Sequence, residues 1–107
     1  MVLDDGREVA VSGVVLLGRN PQPRPGEEDA ELIKVADDTR TVSKTHLSLS
    51  VDANGLYVMD RGSTNGTTLT STPGSSVSCP AGNVVPVSGG FISFGDHWLR
   101  IERRGGR

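Results

Sequence analysis

The sequence has few cysteines and aromatic residues and no excess of basic charge, and each shortage excludes a class of protein. The single cysteine cannot form a disulfide within the chain, and no cysteine cluster exists to bind a metal. A net charge of -2 argues against a general nucleic-acid surface. The longest strongly apolar run, 14–17, is far shorter than the roughly 18 residues of a membrane span, and the acidic start does not resemble a secretory signal. We therefore expect a cytoplasmic domain, or the cytosolic domain of a larger, membrane-anchored protein, without a metal, direct membrane contact or a nucleic-acid partner.

The length of 107 residues fits one domain. Because only 4% of the residues are aromatic, the core must come mainly from 13 Val, 9 Leu and 3 Ile. The 14 glycines and 6 prolines indicate many turns. Their combined share of the sequence is lower than that typical of a disordered chain. We predict a single domain over residues 1–107, with its core at about 9–102 and a flexible tail at 103–107. Cys79 is predicted to be a buried thiol in that core.

Alternating apolar and polar residues predict β-strands rather than helices. Leu47, Leu49 and Val51 would share one face of a strand, while Ser48 and Ser50 would take the other. Gly, Pro or a β-branched residue interrupts every segment with helical spacing. Further strands are predicted at about 8–11, 13–18, 31–36, 56–60, 67–70, 76–79, 83–87, 91–94 and 97–102. Many short strands without helices favour an all-β fold, an antiparallel β-sandwich, with a barrel as the alternative.

The connections between these strands carry local signals of their own. Asn54-Gly55 supplies the positive φ angles of a two-residue type I′ hairpin. Segment 20–29, with three prolines, is predicted to be a long exposed loop whose acidic residues are solvated. Pro86 lacks an N–H group, so strand 83–87 should lie at a sheet edge or carry a bulge. Because the loops of a sandwich gather at its ends, function is expected there.

Three polar clusters fall in loops beside predicted strands. Gly18-Arg19 follows an apolar strand, and the planar guanidinium suits phosphate or carboxylate. Ser43-Lys44-Thr45-His46 offers a hydroxyl, an ammonium group and backbone N–H groups, a combination that binds anions. The third cluster, Asp60-Arg61-Gly62-Ser63-Thr64-Asn65-Gly66-Thr67, contains an amide at Asn65 that can both donate to and accept from a peptide backbone. Taken alone, each cluster has an ordinary structural explanation. Arg19 could be a solvated surface charge, His46 a structural histidine, and the third cluster a tight turn.

A catalytic interpretation of these clusters is disfavoured. Ser43 and His46 would point to opposite faces of an extended chain, and no local sequence forms a nucleophile elbow. The sequence contains no Walker loop and no metal-ligand cluster. We expect a protein that is not an enzyme.

Taken together, the three clusters resemble the forkhead-associated (FHA) domain, a phosphothreonine-peptide binding module. The family pattern runs Gly-Arg, then Ser-x-x-His, then Ser-x-Asn-Gly, which is the order and spacing found here. The resemblance covers about residues 9–102 and is strongest to bacterial, particularly actinobacterial, members. It implies a β-sandwich of about eleven short strands of the FHA/SMAD-like type, with the peptide bound by loops at one end.

The resemblance also implies a role for each matched residue. Phosphate contacts would come from Arg19, Ser43, Lys44 and Thr64. Asn65 would hydrogen-bond the peptide backbone, and Thr41 is a candidate for peptide specificity. Structural roles in the motifs would fall to Gly18, His46, Ser63 and Gly66.

The function implied by the resemblance is phosphorylation-dependent protein–protein interaction in Ser/Thr kinase signalling. The partner would be a phosphothreonine protein, such as a kinase or its substrate, bound by a monomeric module of a larger protein without a cofactor. The alternative is a structural or assembly β-sandwich that binds its partner independently of phosphate. The presence of Arg19, Ser43 and Asn65 argues against that alternative.

Overall fold

Ten β-strands and no helix make up the part of the chain, residues 1–102, that the computed structural model describes. The strands are β1 (Val2–Leu3), β2 (Val14–Gly18), β3 (Glu31–Lys34), β4 (Leu47–Asp52), β5 (Gly55–Asp60), β6 (Thr67–Thr72), β7 (Ser75–Ser78), β8 (Val84–Val87), β9 (Gly90–Phe94) and β10 (His97–Ile101). Within this part, no helix is long and apolar enough to cross a membrane. The predicted tail at 103–107 lies outside the described residues.

The strands form two five-stranded sheets packed as a β-sandwich. One sheet has the order β1-β10-β9-β6-β7, and the other has the order β3-β2-β4-β5-β8. Within residues 1–102, neighbouring strands are antiparallel except for β2 and β3, which are parallel. The predicted sandwich is confirmed. It contains one parallel strand pair. Residues 1–102 form ten strands, whereas the resemblance implied about eleven. Pro86 lies in β8, at an edge of its sheet, as predicted.

Aliphatic side chains from both sheets fill the core, as the scarcity of aromatic residues requires. Leu47 and Leu49 of β4 are completely buried, and Phe94 is the largest buried side chain. Ser48, which alternation places on the outer face, is also buried, while Ser50 on the same face is half-buried, so that face of β4 is only partly solvated. Cys79 is buried too, which confirms a core thiol, and burial raises the pKa of that thiol.

The prediction of a strand at 8–11 was wrong. Glu8 belongs to an isolated β-bridge with Val2 and not to a strand, while the N-terminal strand is β1, which pairs with β10. Two residues are too few to show an alternating pattern, so β1 carries no strand signal of its own. Val9 and Val11 still pack against the core, which explains the apolar spacing that suggested a strand.

The hairpin between β4 and β5 is present, but its turn is one residue earlier than predicted. Asp52 pairs with Gly55, so the loop residues are Ala53 and Asn54, neither with positive φ. The positive φ, 142°, falls at Gly55. The Asp52 carboxylate accepts the N–H of Asn54 at 2.7 Å and that of Gly55 at 3.2 Å. Hydrogen bonds to the Asp52 side chain therefore close the turn, and the turn is not of type I′.

Candidate functional site

A cleft of about 630 Å³ lies where the three motif loops meet. It is lined by Arg19, Asp37, Arg40, Thr41, Val42, Ser43, Thr64 and Asn65. The structure thus brings together five of the residues predicted to contact a ligand: Arg19, Thr41, Ser43, Thr64 and Asn65. Lys44 is exposed but does not line the cleft. Asp37, Arg40 and Val42 line it without having been predicted to contact a ligand.

Backbone hydrogen bonds hold the end of β2 against the loop before β4. The N–H of Arg19 donates to the carbonyl of Ser43, and that of Asn20 to the carbonyl of Lys44, each at 3.1 Å. The Arg19 side chain adds a bond from Nε to the carbonyl of Val42 at 3.2 Å. This bond fixes the guanidinium plane. The two terminal nitrogens of Arg19 have no protein partner among the described residues and remain available to an anion.

Gly18 permits this close approach because it has no side chain. A Cβ built on Gly18 would lie 2.0 Å from the Lys44 carbonyl oxygen and 2.9 Å from that of Ser43. Real Cβ contacts are not that short. The structural role predicted for Gly18 therefore has a steric basis, since any other residue would push the loop that carries Ser43 away from Arg19.

His46 connects the second motif loop to the third and is completely buried. Its Nδ1 accepts the backbone N–H of Ser43 at 3.1 Å, so the ring proton is on Nε2, which donates to the carbonyl of Gly66 at 2.8 Å. The Ser43 hydroxyl instead accepts the N–H of Thr64 at 3.0 Å. Because the ring bonds the amide of Ser43 and not its hydroxyl, this geometry fits the predicted structural role and not a nucleophile–base pair.

Replacing His46 by Ala is expected to destabilise the fold. The substitution leaves a cavity and removes the partners of two backbone groups, which together cost about 3 kcal/mol of unfolding free energy. Urea denaturation measures this loss. Lys44→Ala, at an exposed position two residues away, is the control and should leave the midpoint unchanged. An unchanged midpoint for His46→Ala would contradict the bracing role.

Asp60, at the end of β5, organises the third motif loop. One carboxylate oxygen accepts the N–H groups of Gly62 and Ser63, each at 3.0 Å, and the other accepts the hydroxyls of Ser63 and Thr67. Burial alone would raise the pKa of Asp60, but these hydrogen bonds outweigh burial and lower it. The Ser63 hydroxyl in turn accepts the N–H of Gly66 at 2.9 Å. The sequence analysis included Asp60 in the third cluster but assigned it no role, although an aspartate two residues before Gly-Ser is a recognisable turn signal.

Asn65 connects the third loop to the segment before Ser43. Its Nδ2 donates to the carbonyl of Thr41 at 2.9 Å, which leaves Oδ1 without a partner among the described residues. The Thr41 hydroxyl accepts the N–H of Asp96 at 2.8 Å. It also lies 2.8 Å from the hydroxyl of Thr39. Thr41 is therefore held on two sides at the wall of the cleft.

Asp37 closes the turn that precedes Ser43. Its carboxylate accepts the Thr39 hydroxyl at 2.6 Å and the N–H of Val42 at 2.8 Å, and lies 3.2 Å from Nε2 of His97. Burial would raise the pKa of Asp37, but the hydrogen bonds from Thr39, Val42 and His97 outweigh it and lower that pKa to about 2. The carboxylate is thus charged at neutral pH and is used by its own loop and by His97 of β10.

The lowered pKa of Asp37 predicts that its carboxylate contributes to stability and that acid removes this contribution. Because its pKa is lower in the folded protein than the ordinary value of 3.8, the contribution is fully present above that value and is lost as the pH falls towards about 2. Between about pH 6 and about pH 2, the melting temperature should fall less for Asp37→Asn than for the unaltered protein. Asp38→Asn, at an exposed neighbour, should retain the full decline. Equal declines in all three proteins would contradict this assignment.

The proline loop 20–29 is tied to the binding loops rather than fully solvated. Arg61 is buried and donates from both terminal nitrogens to the Glu27 carboxylate, at 3.0 and 3.1 Å. The backbone N–H of Gln22 donates to the Thr45 hydroxyl at 2.9 Å. The prediction that the acidic residues of this loop are solvated was therefore wrong for Glu27. Its partner lies 34 positions away, a separation at which no local sequence pattern reveals a pair.

Comparisons with known proteins bear on the family and the fold of the chain. A family model described as the FHA domain matches residues 15–87 of the chain. A crystal structure of the FhaA FHA domain, complexed with the intracellular domain of Rv3910, is 27% identical, with a TM-score of 0.61 and 91% of each chain covered. The FHA domain of an Arabidopsis thaliana hypothetical protein is 20% identical, with a TM-score of 0.67 over 99% of this chain and 86% of that one. At 20% identity, this second likeness shows a shared fold and nothing more. No curated protein matches the chain significantly.

Proposed function

Because the chain belongs to the FHA family, whose members are phosphopeptide-binding modules in signalling, we propose that its cleft binds a phosphothreonine peptide. One observation carries the proposal. The fixed guanidinium of Arg19, with its terminal nitrogens unpaired by the described residues, lines the same cleft as the hydroxyl of Ser43. A guanidinium and a hydroxyl donor together match the oxygens of a single phosphate.

The proposed phosphate contacts follow from the hydrogen bonds that each candidate donor already makes within the protein. Arg19 offers two N–H groups in a fork, and Ser43 accepts from Thr64 but keeps its hydroxyl proton to donate. The amide of Thr64 is occupied by that bond, so Thr64 would contribute its own hydroxyl. Lys44 is exposed and would add positive charge from the rim. A total charge of -2 on the protein is compatible with one phosphate bound at such a local cluster.

Asn65 is proposed to hold the peptide backbone. Its Nδ2 is used by the carbonyl of Thr41, so its free Oδ1 would accept a peptide N–H. Thr41 forms the neighbouring wall of the cleft and remains our candidate for contact with a residue beside the phosphothreonine. The arrangement fixes the amide of Asn65 before any ligand arrives, which reduces the entropy lost on binding.

We propose a non-catalytic adaptor that acts in Ser/Thr kinase signalling. Its partner would be a kinase or a kinase substrate, recognised after phosphorylation. The FhaA relative was crystallised with a partner protein domain, which supports a protein ligand for this chain as well. We further propose that residues 1–107 act as one monomeric module of a larger protein in the cytoplasm, without a cofactor.

The proposal is tested by the binding of one peptide in three forms. The phosphothreonine form should bind with micromolar affinity, the phosphoserine form about tenfold or more weakly, and the unphosphorylated form without measurable affinity. Isothermal titration calorimetry measures all three. Equal binding of the three forms would reject the proposal and favour the alternative, a sandwich domain that recognises its partner independently of phosphate.

A further inference from the structure

His97, the first residue of β10, lies between two carboxylates from distant parts of the chain. Its Nδ1 lies 2.9 Å from a carboxylate oxygen of Asp4, which follows β1, and its Nε2 lies 3.2 Å from one of Asp37, in the turn before β4. A neutral imidazole has one N–H group and can donate to only one of them, whereas the imidazolium ion donates to both. The arrangement around His97 therefore fits the charged ring.

The groups that surround the ring of His97 favour a positive charge on it. Among the described residues, the charged side chains in contact with it are those of Asp4 and Asp37. On β9 its neighbour is the uncharged ring of Phe94, stacked at a centroid distance of 6.0 Å. Asp96, the preceding residue, is exposed and adds a negative charge nearby. The His97 side chain is 17% exposed, so its protons can still exchange with solvent.

Asp37 begins a turn that forms one wall of the cleft, since Arg40, Thr41 and Val42 line the cleft as well. Arg40 has a φ of 60°, the only positive φ of a non-glycine residue in the described part of the chain. This left-handed conformation is unfavourable for arginine and persists only where surrounding contacts hold it. The turn therefore depends on its restraints, among them the bond from the N–H of Val42 to the Asp37 carboxylate at 2.8 Å.

The connection between β9 and β10 contacts this wall at three points. Gly95 lies so close to Thr41 that a Cβ built on it would be 2.5 Å from the Thr41 carbonyl oxygen. The N–H of Asp96 donates to the Thr41 hydroxyl at 2.8 Å, and His97 reaches Asp37. Of these three contacts, the one from His97 depends on a proton, and histidine is the side chain that ordinarily gains and loses its proton near neutral pH.

We propose that His97 is a positioning residue for the cleft, and that its proton links phosphopeptide affinity to pH. In the imidazolium form the ring joins Asp4 to Asp37 and holds the turn at the wall of the cleft. When one proton leaves, the shorter bond, to Asp4, keeps the remaining proton, and a lone pair of the ring faces the Asp37 carboxylate. The turn then loses a restraint, so the cleft is less well ordered before a peptide binds. This inference rests on the proposed function of the cleft.

The test measures the affinity of a phosphothreonine peptide by isothermal titration calorimetry from about pH 5 to about pH 8, the range in which histidine changes charge. Asp37 stays charged throughout, because its pKa is about 2. The peptide phosphate loses its second proton near pH 6, which changes the affinity of every variant alike. The affinity of the unaltered protein is therefore divided by that of His97→Gln, whose amide does not titrate. We expect this ratio to fall about fivefold as the pH rises.

Asp4→Asn tests the same link without altering the ring. With one carboxylate removed, a neutral imidazole can donate to Asp37, so the affinity of Asp4→Asn relative to His97→Gln should stay constant across the pH range. The amide oxygen of the new side chain can still accept the N–H of Trp98, which lies 3.2 Å from the Asp4 carboxylate. Asp96→Asn is the matched control. It removes an exposed charge beside His97 but keeps the backbone N–H, and it should retain the whole pH dependence.

A second measurement follows the proton itself. Linkage is reciprocal, so a bound peptide must strengthen proton binding by the same factor. The chain has two histidines, of which His46 is completely buried, so the ring signals of His97 can be followed by NMR as the pH is changed. A fivefold link moves the titration midpoint of His97 upward by about 0.7 pH units when the peptide binds. Asp4→Asn should lose most of this shift, whereas a direct effect of the peptide charge would persist in it.

The outcomes separate this role of His97 from the proposed function. A constant affinity ratio, with a titration midpoint that the peptide does not move, would overturn the role of His97 alone, because the phosphothreonine peptide would still bind. If His97→Gln does not fold, the comparison of the unaltered protein with Asp4→Asn decides between the same outcomes. Failure of the unaltered protein to distinguish phosphothreonine from threonine at any pH would instead reject the proposed function.

Discussion

Arg19→Ala is expected to reduce affinity for a phosphothreonine peptide by about 100-fold or more while leaving the fold intact. Two hydrogen bonds to a charged phosphate contribute about 1.5–3 kcal/mol each, and 1.4 kcal/mol corresponds to a tenfold change in affinity. Among the described residues, the side chain makes one hydrogen bond, from Nε to the Val42 carbonyl at 3.2 Å, and this bond is only partly buried. Its loss should lower the unfolding free energy by about 1 kcal/mol at most.

Three further variants sharpen this prediction. Arg19→Lys keeps the charge but removes the planar fork and should recover only part of the affinity. Arg24→Ala, at an exposed arginine outside the cleft lining, controls for the loss of one positive charge and should bind normally. Ser43→Ala should weaken binding strongly as well. Calorimetric titration, with circular dichroism as the check on folding, measures all of them. Retained affinity in a folded Arg19→Ala protein would show that the phosphate binds elsewhere.

Gly18→Ala is expected to damage both stability and binding. The new Cβ would lie 2.0 Å from the Lys44 carbonyl oxygen, and backbone surrounds it on that side, so no side chain can move away to relieve the contact. Overpacking of this kind costs about 1–3 kcal/mol, and the upper end applies where backbone must move. Because the displaced loop carries Ser43, we expect phosphopeptide affinity to fall by about tenfold or more even at temperatures where the protein remains folded.

Gly13→Ala is the matched control for Gly18→Ala. Gly13 precedes the same strand and has no positive φ, and a Cβ there would meet no atom within 4 Å. A substitution without strain restricts the unfolded chain, so stability should be unchanged or slightly higher and binding should be normal. Urea denaturation and peptide titration compare the two variants. Equal behaviour of both would mean that the loop accommodates the extra methyl group, and the steric account of Gly18 would fail.

The sandwich could be predicted from local alternation, whereas the grouping of the three motif loops was implied by the resemblance of their order and spacing to the FHA domain. Alternation around Leu47 and Leu49 reports a buried strand face, and the three motifs lie directly beside strands that end at one rim. Arg19, Ser43 and Asn65 were therefore expected to lie near one another. The geometry adds the reason for Gly18, which is the close approach of two backbones.

The missed features depend on contacts between distant positions or on single backbone angles. Glu27 and Arg61 pair across 34 positions, and the N-terminal strand β1 pairs with the last strand. The left-handed φ of Arg40 cannot be inferred from its residue type, because arginine rarely adopts it. Asp60 differs, since an aspartate ahead of Gly and Ser is a local turn signal that was present in the sequence and was not used.

The central claim is that the rim formed by the three motif loops binds the phosphate of a phosphothreonine peptide. A structure of the protein in complex with such a peptide tests it most directly. We predict phosphate oxygens at hydrogen-bond distance, about 3 Å, from the guanidinium of Arg19 and the hydroxyl of Ser43, with the peptide backbone at Asn65. A phosphate bound away from Arg19 and Ser43 would contradict the account.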